Sequence, residues 1–134
     1  MPTVLVLEGD AVSRQILGHV LRKNGGYTVL EASTTREAMT YSRRYQIDLA
    51  VIDGSTRDVY AGGRATATQL RRISPGLRWL FVSRYPLDVL VEKGVLQYDD
   101  PFLARPFTPR GLLAQVERVL AVSASNPSVM AGGA

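Results

Sequence analysis

Four places in this 134-residue chain put polar side chains directly after apolar runs, and their types complement one another. Val4 to Leu7 lead into Glu8, Gly9 and Asp10, and Leu49 to Ile52 lead into Asp53. Trp79 to Val82 lead into Ser83 and Arg84, and Phe102 to Ala104 lead into Arg105. Carboxylates can ligate a hard cation or act as nucleophiles, and a guanidinium fork neutralises oxyanions. Each residue alone is a weak signal, because acids and arginines commonly end strands as solvated loop starts. All four ends being polar in complementary ways is a stronger one.

The elements that must position these groups follow from hydrophobic periodicity. Val4–Leu7 is a short continuous apolar run, as a strand buried on both faces requires. Asp10 or Ser13 caps a helix with Val12, Ile16, Leu17, Val20 and Leu21 toward the core, ended by Asn24-Gly25-Gly26. Residues 27–31 read as a second strand. Thr34 or Thr35 caps a second helix to about Arg44, with Ala38, Met39 and Tyr41 inward. Leu49–Ile52 is a third strand. A glycine-bearing loop follows, then a helix from about Gly63 to Ile73, stopped by Ser74-Pro75-Gly76. Trp79–Val82 is a fourth strand, residues 87–93 a short helix and Phe102–Ala104 a brief fifth strand. Thr108-Pro109 supplies a cap and a proline at the first position of a last helix carrying Leu112, Leu113, Val116, Val119 and Leu120. Residues 1–122 form one domain, and the small, polar residues 123–134 are expected to be disordered. Strands alternating with helices predict a parallel sheet covered on both faces, with ligands meeting the carboxyl ends of its strands.

Composition narrows the chemistry. The chain has no cysteine and only one histidine, His19, which excludes disulfides, thiol chemistry, zinc held by cysteine and a histidine-rich metal site. No apolar run reaches the ~20 residues of a membrane span, and the start lacks signal-peptide features, so a cytoplasmic protein is expected. The net charge is +4, but the arginines are dispersed, without the basic stripe of a nucleic-acid-binding surface. His19 is read as structural, Trp79 and Phe81 as core, and Phe107 as packing beneath the last helix.

From residue 3 to 121 the sequence resembles the receiver domain of two-component response regulators. "VLVLEGDAVSRQIL" is similar to the first strand with its acidic pair, and "DLAVIDG" to the strand that presents the phosphoacceptor aspartate. "LRWLFVSRYP" resembles the strand with the switch hydroxyl, and "PFLARPFTPRGLL" the Lys-Pro-Phe segment and last helix, with Arg105 in the lysine's place. The resemblance implies a flavodoxin-like (βα)5 doubly wound fold with a five-stranded parallel sheet in the order 2-1-3-4-5. It implies that Asp53 accepts a phosphoryl group from a histidine kinase or phosphotransfer protein. Ser83 is then the switch hydroxyl, Phe102 the switch aromatic and Arg105 the neutralising cation. Glu8, Asp10, Asp53 and the backbone carbonyl of Ser55 are the implied magnesium ligands. It also implies a cis Arg105–Pro106 bond and a partner-binding face over residues 87–121, open to a homodimer in which Arg110 and Arg118 meet Asp88, Glu92, Asp99 or Asp100.

The sequence departs from the family pattern around that site. Gly9 stands where the family has its second acid and direct metal ligand. Arg84 replaces a small residue, and the loop "DGSTRDVYAGG" lacks the usual Met-Pro pair. Three negatives (Glu8, Asp10, Asp53) then face two positives (Arg84, Arg105), which implies a weak magnesium site and an arginine paired with Asp53 at rest. The alternative to phosphorylation is therefore a phosphorylation-independent pseudo-receiver. An aspartate-nucleophile phosphatase lacks its second aspartate in "DGST". A flavin or nucleotide carrier lacks a phosphate loop, because acids after the first strand repel phosphate.

Overall fold

The computed structural model describes residues 1–54 and 63–122. A five-stranded sheet lies at its centre in the order β2-β1-β3-β4-β5, all pairs parallel, as the family resemblance implied. In chain order the elements are β1 (Thr3–Leu7), α1 (Ala11–Lys23), β2 (Thr28–Ala32), α2 (Thr35–Arg44), β3 (Leu49–Asp53), α3 (Gly63–Ile73), β4 (Arg78–Ser83), α4 (Leu87–Glu92), β5 (Phe102–Ala104) and α5 (Pro109–Leu120). The sequence boundaries hold to within a residue or two. Ser55 and the tail 123–134, on which two expectations rest, lie outside the described residues.

Because successive side chains on a strand point to opposite faces, each central strand feeds two cores. Leu5, Leu7, Ala50, Ile52, Trp79 and Phe81 pack with Ala38, Leu70 and Leu90 on one side. Val4, Val6, Leu49, Val51, Leu80 and Val82 pack with Leu17, Leu21, Leu112 and Val116 on the other. The continuous apolar runs are thus explained by two-sided burial. Where the sequence offered two caps, Asp10 accepts from the Ser13 N–H at 2.8 Å and Thr34 from that of Glu37 at 3.1 Å. Thr108 likewise accepts from the Gly111 N–H, with Pro109 opening α5. The Arg105–Pro106 bond is cis.

Three expectations are corrected. Val12 and Ile16 are 64% and 58% exposed, because α1 presses on the sheet through its middle and C-terminal half, burying Leu17, Gly18, Val20 and Leu21. His19, read as structural, is exposed on α1. Asp100 is buried and bound within its own chain, so it is not a surface acid for a second copy. Among the described residues, no helix is long and apolar enough to cross a membrane.

Candidate functional site

Strand register brings the acids together. Leu7 pairs with Ile52, so the next residues along, Glu8 and Asp53, leave neighbouring strands side by side. The Glu8 N–H still donates to the Ala32 carbonyl at 3.0 Å, which carries the sheet's order one residue past β1. Both acids are buried, Glu8 at 3% and Asp53 at 5% exposure. Two carboxyl groups so placed cannot both keep full charge cheaply without a partner.

The partner comes from β5. The Arg105 N–H donates to the Ser83 carbonyl at 2.9 Å, fixing the backbone beside β4. Its guanidinium then reaches back, Nη2 donating to Glu8 Oε1 at 2.8 Å and standing 3.7 Å from Asp53 Oδ2. The same guanidinium lies 5.3 Å from the centroid of the Phe107 ring. Burial pushes the Glu8 carboxyl up to about 7, helped by its hydrogen bond with Asp53, while the Asp10 N–H and Arg105 act in the opposite direction. Near neutrality Glu8 therefore carries a proton for part of the time and donates it to Asp53. The centre of the site is a hydrogen-bonded acid pair under one guanidinium.

The remaining predicted residues take different places. Asp10 is exposed and serves as the α1 cap, its carboxylate held below the usual range first by the Ser13 N–H. Ser83 is fully buried, and its Oγ accepts from the Tyr85 N–H at 2.9 Å, closing the turn after β4. Phe102 is half-buried beside the core that contains Phe81, its register partner. Arg84 is exposed, 5.5 Å from the Tyr85 ring centroid, with no carboxylate in salt-bridge reach among the described residues. Of the two arginines expected to compete for the acids, Arg105 is the one that meets them.

Arg14 escaped the sequence reading. Its Nη1 donates to the Glu8 carbonyl at 3.0 Å, and its Nε lies 3.8 Å from Glu31. The signal was present: once Asp10 is the cap, Arg14 sits in the first turn, and helical side chains lean toward their own N-terminus.

Magnesium requires several oxygen ligands in near-octahedral order. Here Gly9 offers no side chain, the Asp10 carboxylate is engaged at the cap, and Glu8 and Asp53 are hydrogen-bonded to each other beside a guanidinium. Among the described residues no group of three or more histidine or carboxylate side chains is placed to hold a metal. Among the described residues, the side chains at the strand ends do not fit the ion in this arrangement.

No protein-family model and no curated protein sequence matches the chain. Solved structures do. The Vibrio cholerae chemotaxis protein CheY4 is 24% identical with a TM-score of 0.74, over 89% of this chain and 98% of that one. A response regulator from Thermotoga maritima is 24% identical, TM-score 0.73, over 91% and 99%. A Burkholderia pseudomallei response regulator, solved with a phosphorylated aspartic acid, a calcium ion and citrate, is 20% identical, TM-score 0.69, over 90% and 69%. Sheet order, strand-end acids and these likenesses agree: the chain has the fold of the CheY-like response-regulator receiver domains.

Proposed function

We propose that the protein is a cytoplasmic signalling module of the receiver type, not an enzyme, whose interaction face is set without magnesium-dependent phosphorylation. The observation that carries this reading is the Arg105–Glu8–Asp53 cluster. An aspartate that accepts a hydrogen bond from its neighbour and faces a guanidinium is a poorer nucleophile than a free carboxylate. A divalent cation entering there meets a fixed positive charge and finds too few oxygens. Arg105 already supplies the neutralisation that a metal would provide.

A second reading is favoured by the placement of Asp53 at the end of β3, on the strand next to the one that ends in Ser83, with a cation 3.7 Å away. In it Asp53 accepts a phosphoryl group from a histidine kinase or phosphotransfer protein, with weakly bound magnesium, and Ser83 and Phe102 carry the response. Intact-mass measurement after exposure to acetyl phosphate, with and without magnesium, separates the two. The first reading expects no mass increase in the unmodified protein and a gain in Gly9→Asp combined with Arg105→Lys. A magnesium-dependent increase in the unmodified protein, lost in Asp53→Ala, establishes the second.

A further inference from the structure

Beside the acid pair, on the α1 side of the sheet, lies a groove of about 430 Å³. Its walls are Ile16, Leu17 and Val20 of α1, Phe107 and Pro106 of the turn after β5, and Leu112 of α5. This size lies within the roughly 300–1,000 Å³ of small-molecule sites, which are likewise apolar with a few placed polar groups. Ile16 in this wall is 58% exposed, an apolar side chain that the protein's own core does not cover.

Two guanidiniums, Arg84 and Arg105, stand at the same groove. Arg105 is partly matched by Glu8 and Asp53, whereas Arg84 has no carboxylate in reach among the described residues. An exposed arginine fork next to an apolar cleft complements a ligand with one planar anionic head and an apolar body. A phosphate would leave the apolar walls unfilled, and a neutral hydrocarbon would gain nothing from the guanidiniums.

We propose that this groove binds a small amphipathic carboxylate, its apolar body between α1 and Phe107 and its carboxylate on Arg84 with Arg105 beside it. The proposal stands whether or not Asp53 is phosphorylated. It is tested by titrating the ¹⁵N-labelled full chain with 1-naphthoate and, separately, with its neutral analogue 1-naphthalenemethanol. Saturable shifts confined to α1, Arg84 and residues 105–112 are expected, with a dissociation constant of about 0.1–1 mM for naphthoate and roughly tenfold weaker binding of the alcohol. Arg84→Gln should lower naphthoate to the level of the alcohol, and Ile16→Glu should weaken both. Equal affinity for acid and alcohol, scattered shifts, or no saturable shift up to about 5 mM overturns the proposal. Self-association in sedimentation that Ile16→Glu abolishes would assign the groove to a second copy instead, and overturns it equally.

Discussion

Glu8 and Arg105 hold the least forgiving contacts of the site. Glu8 binds its proton more tightly in the folded chain than in the unfolded one, so folding takes up protons between the ordinary value of 4.5 and about 7. The stability this group contributes is complete below pH 4.5 and is lost as pH rises through 7. Urea denaturation is therefore expected to show Glu8→Gln losing a pH dependence of roughly 1–3 kcal/mol between pH 5 and 8. Arg105→Ala leaves both acids without their cation. The expected loss is about 1–3 kcal/mol at pH 8 and less at pH 5, where Glu8 is neutral and the counter-charge matters less. The sequence made the identity of these residues legible, since each follows an apolar run. The resemblance pointed to Arg105, whereas the charge count alone left Arg84 and Arg105 equal candidates for the acids. Both carry the same charge, and it is the structure that places Arg105 on the acids and Arg84 beside Tyr85.

Among the elements, the junction of α3, β4 and the segment before β5 has its own lock. The Asp100 carboxylate is buried, accepts from Trp79 Nε1 at 3.2 Å and from the Gln97 N–H at 2.8 Å, and pairs with Arg64 at 3.2 Å. Asp100→Ala takes the acceptor from the buried Trp79 N–H and loosens Arg64 and the Gln97 turn, and circular dichroism during urea titration should report a loss of about 1–3 kcal/mol. On the opposite face, Gly18 lets α1 lie close to β2. An added Cβ would stand 2.5 Å from Glu31 Oε2 and 2.9 Å from Arg22 Nη1, two ends of one ion pair. Gly18→Ala should push that pair apart yet gain helix propensity, and thermal melting is expected to shift by less than the equivalent of about 1 kcal/mol. Element type and order were legible because two-sided strands and capped helices leave clear periodic marks. The placement of Asp100 was not. Next to Asp99 and Tyr98 it looks like any solvated acid, and its burial depends on a tryptophan 21 residues earlier in the chain.

At the scale of the molecule, β5 is the sheet edge away from β2, with α4 packed through Leu90 on one face and α5 through Leu112 on the other. With Asp100 withdrawn into the core, Asp88, Glu92 and Asp99 remain as exposed acids to meet Arg110 and Arg118 of a second copy. If such a dimer forms, sedimentation at low salt should detect it, and Arg118→Glu should weaken it about tenfold. A monomer at millimolar concentration would leave that face to a partner of another kind. The fold was legible at this scale because five strands alternating with helices admit few topologies. Which surfaces are left uncovered was not, since Val12 and Ile16 fit an inward helical stripe that α1 does not complete.

The lock around Asp100 also contains the chain's single tryptophan. The Trp79 ring is buried, carries the Arg71 guanidinium 3.9 Å from its centroid and ends on a carboxylate. An indole held between a cation and an anion sits in a strong local field, and its excited state responds to small changes in either distance. Because β4 runs on from Trp79 to Ser83, the protein carries an optical gauge on the strand that ends at its own site. Fluorescence emission, with Arg71→Ala and Asp100→Asn to calibrate the two charges, would read strain in that strand as a wavelength without any added label.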